Sequence, residues 1–214
     1  MAFTFPKVYP ILDSSFIPAA GRAEFLRSLG DQLAEAGVTL LEYRNKSGGE
    51  AEIQADAAIL RAAMPAGKVK LILDDRVDLV DSSGFDGVHV DAGDLAPAEA
   101  RRLLGRERIV GTFGGSKGLV PGVLESGADY FSIGPVFATR TKQTTTPLIG
   151  MEGVRRLRAE AGPEPVLVAI GGITLATAAE AIEAGASVVA VAGGIFRQAD
   201  PAAEFRRWVA ELAK

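Results

Sequence analysis

The chain contains no cysteine and only one histidine among its 214 residues. Without cysteine there is no disulfide framework and no thiolate nucleophile, which is consistent with a cytoplasmic protein. No apolar run approaches the ~20 residues of a membrane span, and the N-terminus lacks the basic and long apolar segments of a signal peptide. We therefore expect no membrane partner and no catalysis by sulfur.

Lysine and arginine form no stripe in the sequence, and the formal net charge is −4. This charge pattern argues against a nucleic-acid partner. Hydrophobic residues make up 48% of the chain, which is enough for one sizeable core and predicts a single domain over residues 1–214. The 25 glycines are scattered between apolar runs, so they indicate turns rather than low complexity.

Short apolar runs alternate with segments of helical spacing along the whole chain. Such runs are typical of strands that are buried on both faces of a parallel sheet. Eight β–α units predict a (β/α)₈ TIM barrel, which would be compact because the chain is shorter than the ~250 residues typical of this fold. An open doubly wound sheet is the alternative, disfavoured because no Gly-x-Gly-x-x-Gly follows the first strand. The runs cover residues 8–13, 38–44, 69–75, 87–90, 109–113, 129–133, 165–173 and 187–194.

A helical segment is expected after each strand, including one over residues 119–126 that follows the fifth. The third strand is followed only by a very short connection, from Val77 to Ser83. We find no repeat of fixed length beyond the β–α alternation itself.

Reactive residues of such barrels come from the carboxyl ends of the strands, on one face. The residues at the carboxyl ends of the predicted strands include both carboxylates and cations, and all of them are expected at the same end of the barrel. Carboxylates bind a hard cation such as Mg²⁺, while lysine and arginine neutralise phosphate oxygens, so the set suits a Mg²⁺–diphosphate complex. Its members are Glu42, Arg44, Lys46, Asp74, Asp75, His89, Asp91, Asp94, Thr112, Phe113, Thr139, Thr141 and Lys142.

Two glycine-containing features also indicate phosphate binding. The stretch Gly134–Lys142 ends a strand with Gly-Pro and then places two hydroxyls and two cations within four residues. The pairs Gly171-Gly172 and Gly193-Gly194 follow the seventh and eighth strands, where barrels bind phosphate through backbone N–H groups. The simpler alternatives are a solvated polar loop and ordinary turn glycines.

Several of these side chains also have structural interpretations. Asp75 and Asp94 are candidate Mg²⁺ ligands, but Asp94 precedes Pro97 and could cap a helix. Asp74 and Asp75 could form an ion-pair cluster with Arg76, and Arg44 and Lys46 could pair with Glu42 or Glu50. The single histidine, His89, lies in a short apolar strand and is expected to be a hydrogen-bonded core residue rather than a general base.

Five segments carry a recognisable pattern, namely residues 43–46, 71–79, 87–90, 134–142 and 168–173. The most specific of them is the run Gly-Pro-Val-Phe-x-Thr-x-Thr-Lys at residues 134–142. Together the segments resemble the thiamine phosphate synthase family, in its order and spacing over nearly the whole chain. The resemblance implies a barrel that joins a hydroxymethylpyrimidine diphosphate to a thiazole phosphate, with loss of diphosphate and with Mg²⁺ as cofactor.

The resemblance also implies roles for individual residues. In the family's pattern, the pyrimidine diphosphate faces the second strand, Mg²⁺ lies between two aspartates, and the thiazole phosphate lies between two threonines and two backbone loops. Carried over in that order, these positions are Glu42, Arg44 and Lys46; Asp75 and Asp94; and Thr139, Thr141, Gly171, Gly172, Ala192 and Gly193, with Lys142 on the diphosphate.

This chain departs from the family's pattern at several of these positions. The family usually has Gln at Glu42, Asn at Asp74, Ser at Phe113, Gly-Gln at Asp91-Ala92 and Ser at Gly193. Extra carboxylates beside a diphosphate are unfavourable unless Mg²⁺ or Arg44 offsets them, and Phe113 narrows the pyrimidine pocket.

Two other functions remain open from the sequence. One is a related thiazole tautomerase, which residues 191–196 resemble, although its catalytic histidine would fall near Gly115, where none exists. The other is a non-catalytic barrel that binds a phosphorylated thiazole or pyrimidine. A homodimer is compatible with each of these functions.

Overall fold

The structure is a computed structural model that describes residues 3–91, 93–139, 141 and 145–214. Its eight strands pair in parallel in chain order, and the last pairs with the first, so the sheet closes into a barrel. The closure confirms the (β/α)₈ barrel and excludes the open sheet. The strands are β1 Val8–Asp13, β2 Leu40–Arg44, β3 Lys70–Asp74, β4 Gly87–Val90, β5 Ile109–Gly115, β6 Tyr130–Ile133, β7 Leu167–Ile170 and β8 Val188–Val191.

Seven helices surround the strands in the described part of the chain, and none of them is long and apolar enough to cross a membrane. Proline occupies the first turn of α3 and α7, where its missing N–H costs nothing, and Asp200 caps α7 by accepting from the N–H of Ala203. The helices are α1 Arg22–Glu35, α2 Glu50–Ala63, α3 Pro97–Leu104, α4 Gly150–Ala161, α5 Leu175–Glu183, α6 Gly193–Phe196 and α7 Pro201–Leu212. Short 3₁₀ helices cover Ser14–Phe16 and Val77–Leu79.

The helix expected over residues 119–126 is wrong. The chain between β5 and β6 forms turns instead. Pro121 lacks a backbone N–H, and Gly122 has a φ of +72°, outside the helical region, so both residues oppose a helix. Leu119, Val123 and Leu124 still pack on the core, which explains their helix-like spacing.

The barrel has two apolar cores. The outer core lies between the strands and the helices, and the inner one fills the barrel lumen with nine buried side chains. The Tyr130 ring packs over Gly111, its partner on the neighbouring strand β5, where an added Cβ would lie 2.0 Å from the ring. Phe3 and Phe5 pack against this inner core. The lumen is therefore packed, not a pore.

Three arginines repeat one structural role around the barrel. Each lies on a helix that follows an even-numbered strand and donates to a glycine carbonyl just before the next even-numbered strand. In each case a side chain in that loop also accepts the N–H of the preceding odd-numbered strand. The sets are Arg61 with Gly84, Asp86 and Leu71; Arg101 with Gly127, Asp129 and Val110; and Arg158 with Gly185, Ser187 and Leu167.

These arginine clamps satisfy carbonyls at the loops that enter the strands. Arg158 donates to the carbonyls of Gly162, Pro165 and Gly185 at 2.7, 2.9 and 2.7 Å, and to the hydroxyl of Ser187 at 2.9 Å. We predict that Arg158→Met lowers the free energy of unfolding by about 2–4 kcal/mol, because buried acceptors lose a charged donor.

Urea denaturation measures this loss. Arg155→Met is the matched control, because Arg155 lies on the same helix, is exposed, and pairs only with Glu152 and Glu180 in the described chain. The control is expected to change stability by less than about 0.5 kcal/mol. Equal losses of the free energy of unfolding in Arg158→Met and Arg155→Met would contradict the stabilising role of the arginine clamp.

Candidate active site

A cavity of about 360 Å³ opens at the carboxyl ends of the strands. All eight strands contribute a side chain to its wall, and the loops after β6, β7 and β8 form its rim. A cavity of this size is typical of a small-molecule site. Among its lining residues are the expected Glu42, Arg44, Asp74, Phe113, Thr139, Thr141, Gly171, Gly172, Ala192 and Gly193.

The remaining expected residues lie beside this cavity or outside the described chain. Lys46 and Asp75 join it through ion pairs with the residues in its wall, and Asp94 lies against Asp75. Lys142 and Ala92 lie outside the described residues.

A chain of hydrogen bonds crosses the cavity wall. The Tyr9 hydroxyl donates to Glu42 Oε2 at 2.8 Å and lies 2.9 Å from the Tyr130 hydroxyl. The Tyr130 hydroxyl is 3.1 Å from His89 Nδ1, and the His89 and Tyr130 rings stack with centroids 5.5 Å apart. His89 is therefore buried and hydrogen-bonded, as expected, and it also lines the cavity.

Burial dominates the titration of this network. It raises the pKa of Glu42 to about 7; the positive charge of His89 opposes this rise and the carboxylate of Asp74 adds to it. Burial by itself lowers the pKa of His89, but the hydrogen bond with Asp91 and the charge of Glu42 outweigh it, and the pKa is raised. Glu42 and His89 can thus hold a proton near neutral pH.

Two cations bind the acidic residues at the ends of β1 and β3. The Arg44 guanidinium pairs with Asp13 and lies 3.5 Å from Asp74 Oδ2. The Lys46 ammonium lies 2.9 Å from Asp74 Oδ2 and also pairs with Asp75. Burial opposes the charge on Lys46, but the negative charge of Asp74 and the contact with Asp75 raise its pKa. Arg44 and Lys46 thus form ion pairs with Asp13, Asp74 and Asp75, and not with Glu42 or Glu50 as the sequence alternative had it.

The same acidic residues could hold a cation. Carboxylate oxygens of Asp74, Asp75 and Asp91 all lie within 4.8 Å of one another. Asp75 Oδ1 is buried without a hydrogen-bond partner among the described residues, and the buried Asp74 Oδ2 contacts only Arg44 and Lys46 there. Such oxygen donors fit Mg²⁺. Asp75 also adopts a φ of 64°, a conformation that costs free energy in a residue other than glycine and is common at functional sites.

Asp94 stands next to this group. Its pKa is raised by burial and by the hydrogen-bond contact with Asp75, and its Oδ2 accepts the N–H of Asp91 at 2.8 Å. It does not cap α3, whose N-cap is Ala96. The two expected metal ligands are thus neighbours, and Asp74 and Asp91 join them.

The glycines after β7 allow two loops to approach closely. A Cβ on Gly171 would lie 2.7 Å from Pro135 Cβ, and one on Gly172 would lie 2.3 Å from the carbonyl oxygen of Ala138. Their φ angles of +97° and +64° also favour glycine. These glycines therefore bring residues 134–139 onto the cavity rim.

Several residues at the site are not identified by the sequence, among them Tyr9, Asp13, Tyr130 and Arg197. Tyr9, Asp13 and Tyr130 lie within apolar runs that indicate only strands. Arg197 lies beyond the last strand and belongs to no motif. Alternation along β1 and β6 is a signal that could have placed the two tyrosines inside the lumen.

Comparison with known proteins identifies what the chain is similar to. A model of the family described as thiamine monophosphate synthase matches residues 8–195. Thiamine-phosphate synthase of Koribacter versatilis is 40% identical over 186 residues, 87% of either chain, and that of Agrobacterium fabrum is 39% identical over 77% of this chain and 76% of its own. The solved thiamine phosphate pyrophosphorylase of Pyrococcus furiosus superposes with a TM-score of 0.79, at 25% identity over 97% of each chain.

We predict that the free energy of unfolding of Glu42→Gln increases relative to that of wild type as the pH rises. The folded-state pKa of Glu42 lies at about 7, above its ordinary value of 4.5, so unfolding releases a proton between these values and wild-type stability falls as pH rises through that window. The substituted amide cannot titrate, while its oxygen can still accept from Tyr9.

Urea denaturation of both proteins at pH 4.5 and pH 8 tests the direction of this pH dependence. The free energy of unfolding of Glu42→Gln relative to wild type is expected to increase by about 1–3 kcal/mol between the two pH values. Glu50→Gln, at an exposed position, is the control and is expected to show no such trend. If the difference in the free energy of unfolding between Glu42→Gln and wild type did not change with pH, the conclusion that Glu42 is a buried, protonated carboxyl would be wrong.

Proposed function

Because the chain belongs to the thiamine monophosphate synthase family, we propose that it is a transferase that makes thiamine phosphate. Its substrates are 4-amino-5-hydroxymethyl-2-methylpyrimidine diphosphate and hydroxyethylthiazole phosphate, and diphosphate is the second product. One observation supports the proposal independently of the family: a group of carboxylates that could bind a cation lies beside two basic side chains at the opening of one cavity.

The reaction that this site supports is a dissociative substitution. The bond between the pyrimidine methylene carbon and the diphosphate oxygen breaks, and its electron pair leaves with diphosphate. The aminopyrimidine ring delocalises the positive charge until the thiazole nitrogen donates its lone pair to the methylene carbon. Arg44 and Lys46, with Lys142 from the sequence pattern, stabilise the negative charge on the leaving group. No protein nucleophile is required.

Asp75 and Asp94 would hold the Mg²⁺ ion, with Asp74 and Asp91 close by. When bound there, the ion supplies positive charge that stabilises the departing diphosphate. The buried Asp75 Oδ1, which has no hydrogen-bond partner among the described residues, supports this assignment.

The rest of the cavity divides between the two substrates. Glu42, Asp74 and Phe113 line the side assigned to the pyrimidine, and the partly buried Phe113 supplies an apolar wall. The thiazole phosphate is assigned to the opposite rim, where the β7 and β8 loops present bare backbone. That rim includes Thr139, Thr141, Gly171, Gly172, Ala192 and Gly193.

Incubating the purified protein with both substrates, with and without Mg²⁺, tests the function. Thiamine phosphate and diphosphate are expected only when both substrates and the ion are present. Conversion of a thiazole phosphate isomer that persists after chelation would instead identify an isomerase. Binding of either substrate without product under any divalent metal would identify a ligand-binding barrel. Either result overturns the proposal.

We predict that Asp75→Ala and Lys142→Ala each reduce turnover by about a hundredfold or more, because each removes charge stabilisation of the leaving diphosphate. Asp75→Asn, which tolerates the left-handed backbone better, is expected to lose turnover as well. Circular dichroism should show a folded barrel in each variant.

Asp78→Ala is the matched control, since Asp78 is exposed and pairs with Arg76 outside the site. It is expected to keep wild-type turnover. Near-normal turnover in purified Lys142→Ala would remove the proposed mechanism.

A further inference from the structure

An arginine that belongs to no family motif lies at the phosphate side of the cavity. Arg197 follows α6 directly and lines the cavity together with the β7 and β8 loops. Its guanidinium carbon lies 5.2 Å from the centroid of the Phe16 ring, a cation–π distance. Phe196 stacks on Phe16, with ring centroids 6.2 Å apart. The arginine is thus oriented by an aromatic support.

Arg197 has no carboxylate partner among the described residues. Arg44, which also lines the cavity, differs in this respect because it pairs with Asp13 and lies near Asp74. An arginine without an acidic partner at a cavity rim is free to bind an anion, and its planar donors suit phosphate oxygens.

The backbone at Gly193 creates the space for this interaction. A Cβ on Gly193 would lie 2.9 Å from Arg197 Nε and 3.2 Å from Thr141 Oγ1. A guanidinium and a hydroxyl therefore both lie close to Gly193, where a larger side chain would crowd them. Donors placed in this way match an anion with several acceptor oxygens.

We propose that Arg197 is a further substrate-binding residue that binds the phosphate of the thiazole substrate, in the part of the cavity that it lines together with Thr141 and Gly193. The proposal rests on the function proposed above. It adds a side-chain cation to a phosphate site otherwise made of hydroxyls and backbone, and it makes Gly193 and Arg197 a coupled pair.

Steady-state kinetics with Arg197→Gln and Arg197→Lys test the role. In Arg197→Gln the KM for hydroxyethylthiazole phosphate is expected to rise about tenfold to a hundredfold, because a charge-assisted hydrogen bond is lost. Arg197→Lys should fall between Arg197→Gln and wild type. The KM for the pyrimidine diphosphate should change less than about twofold, since that substrate lies elsewhere. Arg206→Gln, at an exposed position on α7, is the charge-matched control and should be unchanged.

A double-mutant cycle tests the coupling between the two residues. Gly193→Ala places a methyl group close to Arg197 Nε and should raise the same KM. If both changes act through the arginine, the double variant should be no worse than Arg197→Gln alone. Fully additive effects would contradict the coupled pair.

Isothermal titration separates failure of this inference from failure of the function. With hydroxyethylthiazole phosphate alone, Arg197→Gln should bind about tenfold or more weakly than wild type, whereas the weak binding of unphosphorylated hydroxyethylthiazole should not change. Wild-type protein that makes thiamine phosphate while Arg197→Gln keeps its affinity and KM would overturn the role of Arg197 only. Wild-type protein that neither binds the phosphate nor makes product would overturn the proposed function.

Discussion

Repulsion among carboxylates at one end of the barrel is the constraint on which the site depends. Closure in parallel register brings the strand ends together, with Asp13 beside Arg44 and Asp74 beside His89. Asp74 is buried, so its negative charge is costly unless cations compensate it. Arg44 and Lys46 supply this compensation, and the buried Asp75 Oδ1 still has no hydrogen-bond partner among the described residues. The site is therefore arranged to accept further positive charge.

The inner core supports this polar rim from below. Its packed side chains bury the hydroxyls of Tyr9 and Tyr130, which bond to Glu42, to His89 and to each other. Burial raises the pKa of the Glu42 carboxyl to about 7, so this carboxyl is largely protonated below neutral pH. A carboxyl with a pKa of about 7 is only partly ionised at neutral pH, so it repels a diphosphate less than a full carboxylate would, which reduces the cost of replacing the family's usual glutamine.

Most of the barrel could be predicted from the sequence, because eight runs buried on both faces leave a strong apolar signal. The wrong helix shows the limit of that signal: Leu119, Val123 and Leu124 contact the core without a helix, and Pro121 with Gly122 opposes one. In the site, strand-end position identified Glu42, Arg44, Lys46, Asp74 and Asp75, since parallel strands present their ends together. The sequence does not identify Tyr130 and Arg197, because their surroundings depend on the closed barrel: on Gly111 of the neighbouring strand, and on Phe16, which is distant in the sequence.

The central claim is that the carboxylates beside Lys46 form a cation site that serves the diphosphate. Electron paramagnetic resonance of Mn²⁺, used as a spectroscopic substitute for Mg²⁺, tests it most directly. The account predicts that wild-type protein binds one Mn²⁺ ion and does so more tightly when diphosphate is added, and that Asp75→Asn loses this site. Equal Mn²⁺ binding by wild type and Asp75→Asn, with or without diphosphate, would contradict it.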